Sequence, residues 1–112
     1  MTVIPKALIK ADFGNGLRLG PGKVRLLELV GETGSISAAA RKMDMSYRRA
    51  WLLMDELNHL FGREVIETSA GGSGGGGAKV TEFGFQVISV FRVLENEADD
   101  LVQSRIAQLL QP

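Results

Sequence analysis

Apolar residues recur along this chain in two rhythms, and the changes of rhythm fall at identifiable residues. From Lys6 to Phe13 the pattern alternates by two, with Leu8, Lys10 and Asp12 on one side and Ile9, Ala11 and Phe13 on the other. Gly14-Asn15-Gly16 follows with residues that tolerate positive φ, so a strand and a turn are predicted. Gly20-Pro21-Gly22 then places Pro at a helix start, where its missing N–H costs nothing. Val24, Leu26, Leu27, Leu29 and Val30 give this first helix a broad apolar face that ends at Gly31 or Gly34. Next, Ile36, Ala39, Ala40 and Met43 stand at steps of three and four behind Ser35, whose hydroxyl can accept a free N–H of the first turn. A short second helix over about 36–43 is predicted. Asp44-Met45 interrupts it, and Ser46 caps a third helix, YRRAWLLMDELNHLF, with Tyr47, Ala50, Trp51, Met54, Leu57 and Phe61 on one face.

Two capped helices joined by so short a break are a helix-turn-helix, and Ala38, Ala39 and Ala40 supply the small side chains that a steep, close crossing requires. Beyond Gly62, VIETS and AKVT are strand-like on either side of the loop SAGGSGGGGA, which makes a hairpin wing. Thr81 caps a last segment in which Phe83, Val87, Val90, Phe91, Leu94, Ala98, Val102, Ile106 and Leu109 recur every three or four residues through Leu110. At ~1.5 Å per residue that helix is ~45 Å long, more than so small a domain covers, so part of it is expected to pack on a partner chain. The fold class is therefore α+β, mainly α. Residues 1–80 form a winged helix-turn-helix with a glycine-rich β-hairpin wing, and 81–112 form a long C-terminal dimerisation helix of the same domain.

Composition narrows the function. The chain has 112 residues, 45% apolar and 23% charged, with 13 basic and 13 acidic side chains. This describes one soluble domain, without the ~18 unbroken apolar residues of a membrane span or the apolar core of a secretory signal. A cytoplasmic setting is the expectation. There is no Cys and one His, His59, which removes thiolate metal sites, disulfides and nucleophilic Cys chemistry, and leaves no paired His for a metal. No catalytic residue, metal ligand or cofactor is assigned, and an enzyme is disfavoured. The balanced total conceals an asymmetry: residues 1–80 carry eleven Lys/Arg against eight Asp/Glu, and 81–112 carry two against five. A positive front and negative back orient such a domain toward a polyanion, although three charges make a weak field.

The cations of the third helix are the most informative. At 100° per residue the side away from Ala50, Met54, Leu57 and Phe61 carries Arg48, Arg49, Leu52, Glu56 and His59, and its arginines lie in the first turn. Arg41 and Lys42 end the preceding helix beside them, with Asp44 alone opposing. This is where a groove-reading helix needs cations, because Arg presents paired donors to guanine O6 and N7 and helix-start N–H groups meet phosphate. The competing reading is an ordinary solvated face. Tyr47 is open between core edge and a hydroxyl contact to DNA, Trp51 is assigned to the core, and His59 receives no role. The glycine loop is not a nucleotide-binding loop: Gly72 and Gly77 have the right interval, but Ala78 stands where Lys is required and Val80 follows Lys79 where a hydroxyl must be. As a wing, Gly74 and Gly75 let a sugar-phosphate backbone approach and Lys79 adds a cation. The alternative is a loose hairpin.

The stretch TGSISAAARKMDMSYRRAWLLMDELN, the wing GGSGGGGA and the VTEFG that opens the long helix resemble the N-terminal DNA-binding domain of ModE-type molybdate-responsive transcription regulators, which are LysR-like winged helix-turn-helix proteins. The resemblance runs from about Leu17 through nearly the whole chain. It implies a homodimer joined mainly through the terminal helices, with Phe83, Val87, Phe91, Leu94, Ala98, Val102 and Ile106 as interface candidates. It also implies Ser46, Tyr47, Arg48 and Arg49 at DNA, and Ser35, Ser37 and the wing near phosphates. Asp44 departs from the Gly usual at the turn, at modest cost because Asp tolerates the left-handed conformation. The molybdate-binding modules of full-length members have no counterpart in these residues, so a regulator without its own ligand-sensing domain is expected. Two functions stay open: a homodimeric regulator on double-stranded DNA, and a protein-interaction module that docks on a separate molybdate-binding protein or regulator.

Overall fold

The computed structural model describes residues 3–69 and 77–111. Its elements are β1 (Ala11–Asp12), β2 (Arg18–Leu19), α1 (Pro21–Thr33), α2 (Ile36–Lys42), α3 (Tyr47–Phe61), β3 (Ile66–Thr68), β4 (Ala78–Val80) and α4 (Glu82–Leu110). β1 and β2 form one antiparallel pair, with Ala11 opposite Leu19, and β3 and β4 form another, with Ile66 opposite Val80. The strand expected over Lys6–Phe13 is only two residues long. Before it the chain runs beside α4 instead, where Ala7 N–H donates to Asp99 Oδ1 at 2.7 Å and Gln103 Nε2 donates to the Pro5 carbonyl at 3.1 Å. Leu8, one of the alternating residues, is consequently left in solvent. The Gly14-Asn15-Gly16 turn adopts positive φ at all three positions, as its composition predicts.

Helix limits follow their caps. Gly34 in the left-handed conformation stops α1, its N–H donating to the Val30 carbonyl. Ser35 Oγ accepts from Ala38 N–H at 3.1 Å, Ser46 Oγ from Arg49 N–H at 3.1 Å and Thr81 Oγ1 from Gly84 N–H at 2.9 Å, so three hydroxyls start three helices. Asp44 turns the chain between α2 and α3 at φ 55°.

The core lies where α1, α2 and α3 meet: Val24, Leu26, Leu27 and Val30 interlock with Ala39, Ala40, Ala50, Met54 and Leu57. Of the small residues expected at the α2–α3 crossing, Ala39 and Ala40 are buried and Ala38 is half-buried. The wing is fastened to this core at two places. Asn58 Oδ1 accepts from Val65 N–H at 2.8 Å, and Ala78 N–H donates to the Gly34 carbonyl at 2.9 Å. Buried Gly84 lets α4 lie on the wing, since a methyl there would collide with the Val65 carbonyl and the Val80 side chain.

Two residues assigned to a partner contact are used inside the chain. Val87 and Phe91 are 7% and 2% exposed and belong to the core, because the first turns of α4 pack on α1 and the wing. Phe83 is half-buried, its ring 5.5 Å from that of Phe61, and Arg63 lies over its face at 4.1 Å. Ala98, Val102 and Ile106 are half-buried, and Leu94 is exposed. The apolar stripe left uncovered therefore runs through Val90, Leu94 and Leu101.

Candidate nucleic-acid interface

The α3 helix buries Ala50, Met54 and Leu57, and this fixes what its opposite side shows. Arg48 and Arg49 occupy its first turn and are exposed, as are Arg41 and Lys42 at the end of α2. Among the described residues none of the four forms an ion pair with a carboxylate. Arg41 makes one weak contact, donating to Ser37 Oγ at 3.5 Å. The two caps hold these cations in place: Ser35 orients α2 and Ser46 orients α3, each through its side-chain oxygen. Ser46 is exposed and Ser35 half-buried, so each hydroxyl retains its own proton for an external acceptor.

Tyr47 is 55% exposed, which resolves its position in favour of the outer surface. Trp51 departs from the core position that its helical phase predicts: it is 43% exposed. Because Tyr47 and Trp51 are four residues apart, they share the flank of α3 rather than its buried centre. Trp51 instead borders an open cleft of about 330 Å³ between α3 and the wing, together with Ile36, Asn58 and Ile66. A helical pattern does not separate the margin of an apolar face from its middle, so the sequence alone does not mark this aromatic as a surface residue.

Lys79 is exposed on β4, directly opposite Glu67 across the hairpin, so its charge has a neighbouring carboxylate. The Gly74 and Gly75 assignments fall outside the described residues. His59 is exposed, with Nδ1 2.8 Å from the Asp55 carbonyl, far along α3 from the arginines.

Another guanidinium is in a contrasting setting. Arg92 of α4 bonds Glu28 of α1 at 2.7 Å and Glu95 at 2.6 Å. The Arg92 hydrogen bond holds the Glu28 carboxyl below its ordinary range against the opposing effect of burial, and the carboxylates raise the Arg92 pKa. This cluster ties α4 to α1.

Two capped helices crossing over small residues, a fastened hairpin, and an outward cationic first turn on the second helix define a winged helix-turn-helix. Residues 22–85 match the lysR family of bacterial regulatory helix-turn-helix proteins, and the chain belongs to that family. It is homologous to the N-terminal regions of ModE and MopB proteins. It is 39% identical to the molybdenum-pterin-binding protein MopB of Rhodobacter capsulatus over 89 residues, covering 80% of this chain and 33% of that protein. Identity to the molybdenum transport protein ModE of Azotobacter vinelandii is 35% over 91 residues, 81% of this chain and 34% of the relative. For the DNA-binding transcriptional dual regulator ModE of Escherichia coli (strain K12) it is 36% over 74 residues, 66% and 28% respectively. The chain thus spans about a third of the length of these curated relatives. No helix among the described residues is long and apolar enough to cross a membrane.

Proposed function

We propose that these residues bind double-stranded DNA sequence-selectively as a homodimer in the cytoplasm and regulate transcription of molybdenum-related genes, with ligand sensing assigned to none of them. The observation that carries this reading is the exposed set Arg41, Lys42, Arg48 and Arg49, four cations without carboxylate partners among the described residues, on the side of the helix-turn-helix opposite its core. Arg48 and Arg49 read base edges in the major groove, Ser46 and Tyr47 contact the adjacent backbone, and Arg41, Lys42, Ser35 and Ser37 hold phosphates. Lys79 and the wing glycines serve the flanking backbone. The names of the relatives support the molybdenum and DNA assignments, and the exposed Val90, Leu94, Leu101 stripe supports a second copy as partner.

Fluorescence anisotropy with fragments selected from genomic DNA tests the reading. Nanomolar, sequence-selective binding is expected at ~0.15 M salt. Absence of binding at ~0.05 M salt overturns it. Sedimentation equilibrium tests the dimer: the native chain is expected to sediment as a dimer, and a Leu94→Glu, Leu101→Glu variant as a monomer. A native monomer at high micromolar concentration would refute the homodimer.

The rival reading is a docking module for a separate molybdate-binding protein, and it rests on the same apolar α4 stripe. It predicts a stable heteromeric complex and no sequence-selective DNA affinity.

A further inference from the structure

The β1–β2 hairpin precedes the helix-turn-helix and lies beside the first turn of α3. Its residues Lys10 and Arg18 border one open cleft of about 280 Å³ together with Lys23 of α1 and Arg49 of α3. Gly20 and Gly22 line it as well. Among the described residues no carboxylate-bearing side chain lines this cleft, although four cationic residues do. Lys23 is committed internally: its Nζ is 2.8 Å from a Glu56 carboxylate oxygen and donates to the Arg18 carbonyl at 2.8 Å, which fixes the backbone that carries Arg18. Lys10 lays its aliphatic stem against Gly20, where a Cβ would stand 3.0 Å from Lys10 Cγ. Arg18 has only a loose pairing, 3.9 Å to Asp12 with both side chains more than half exposed, and the other Asp12 oxygen is held by Gly14 N–H. Two cations therefore remain available beside the first turn of α3.

We propose that the β1–β2 hairpin is a second DNA-backbone contact, in which Lys10 and Arg18 hold phosphates of the strand flanking the groove that Arg48 and Arg49 enter. This rests on the DNA-binding reading above. The occupant is a polynucleotide backbone because the cleft is open rather than enclosing, and because Arg49 belongs both to it and to the turn that meets the duplex. A rod of phosphates seated on α3 continues past Arg49 into the cleft, and a Cβ at Gly16 or Gly22 would meet nothing within 4 Å, so space for it is open there. The hairpin contributes affinity without base preference, since backbone contacts carry no sequence information.

The test compares the native chain with Lys10→Met, Arg18→Gln, which keeps the aliphatic stem on Gly20, and with Arg105→Gln as an exposed cation remote on α4. The probe is a fluorescein-labelled mixed-sequence duplex of ~30 base pairs, long enough for two half-sites, titrated from ~0.05 to ~0.3 M salt. Each phosphate contact contributes about −0.9 to the slope of log K against log salt, so the double variant, which loses two contacts in each protomer of the dimer, is expected to flatten the slope by about 3.6. It should bind roughly 1,000-fold more weakly at ~0.15 M salt, while Arg105→Gln keeps the native slope. Thermal denaturation confirms that each variant is folded, and Lys10→Glu, Arg18→Glu should weaken binding further. A native slope in both double variants overturns the hairpin contact while leaving DNA binding intact. A native chain that does not bind the duplex at ~0.05 M salt refutes the parent reading instead. Saturable binding of inorganic phosphate in the cleft, followed by NMR and unaccompanied by a slope change, would make this a free-anion site and refute the backbone contact.

Discussion

Two sets of guanidiniums divide this molecule. Arg92 sits between α4 and α1 with two carboxylates within hydrogen-bonding distance, and its charge is neutralised where it stands. Arg48 and Arg49 sit at the start of α3, exposed, with no carboxylate bonded to either among the described residues. The same functional group thus holds two helices together at one end and stands exposed without a carboxylate at the other. Folding accounts for the first arrangement through its hydrogen bonds. It gives the second no such role, because among the described residues neither exposed side chain forms an ion pair or a side-chain hydrogen bond.

The largest effect that could break this contrast is loss of both outward arginines. Arg48→Ala, Arg49→Ala should weaken binding to the preferred fragment by about 2–6 kcal/mol per half-site, from ~1–3 kcal/mol per base contact, and relax discrimination between sequences. The melting temperature should stay within a degree or two. Anisotropy and calorimetry on the same samples check this. A folded double variant with native affinity would place the interface elsewhere.

The converse change is smaller and reads out on stability. Arg92→Met leaves the Glu28 carboxylate without its strongest donor and should cost about 1–2 kcal/mol in urea unfolding, given hydrogen bonds that are charged but partly solvated. DNA affinity measured on the folded protein should change less than two-fold. If affinity fell together with stability, α4 docking and groove reading would be coupled and the division between the two sets would fail.

Acid sharpens the same point. Glu28 is held below its ordinary value of 4.5 chiefly by its Arg92 hydrogen bond. Its contribution is therefore fully present above that value and is lost as pH falls through the lower folded one. Urea midpoints should drop on acidification below pH 4.5 more steeply for the native chain than for Glu28→Gln. Parallel curves would mean that this pair has no role in acid stability.

The sequence exposes these features unequally, and for physical reasons. Caps and helical steps made α1, α2, α3 and α4 legible to within a residue or two, because Ser35, Ser46, Thr81 and Gly34 each satisfy a free backbone group locally. The arginine front was legible from its phase on α3 relative to Ala50 and Met54. What failed depends on tertiary neighbours. Trp51 looks apolar and in phase, yet lies at the margin of its face. Val87 and Phe91 share a stripe with Leu94, but only the approach of α1 and the wing decides which part of that stripe is already covered. The extended run before β1 alternates like a strand, although its partners are side chains of α4. The Glu28–Arg92 pair joins residues 64 apart and leaves no local pattern.

Asp44 tests the contrast at its most delicate point, as the one carboxylate among the outward cations between Ser35 and Met54. It is exposed and forms no ion pair among the described residues, so it acts on the front through its field alone. Its φ of 55° is a conformation that Asn adopts as readily as Asp, and Asp44→Asn therefore removes the charge while keeping the turn. A unit charge ~10 Å from a phosphate costs about 0.4 kcal/mol in water, which corresponds to roughly two-fold in Kd. Asp44→Asn should tighten DNA binding by about that factor at ~0.01 M salt, where the screening length is ~30 Å, and the gain should fade at ~0.15 M. Stability should move by no more than a few tenths of a kcal/mol. A gain that persisted at high salt would mean that Asp44 touches DNA or a cation directly, and the unpaired state of the arginine front would then need another explanation.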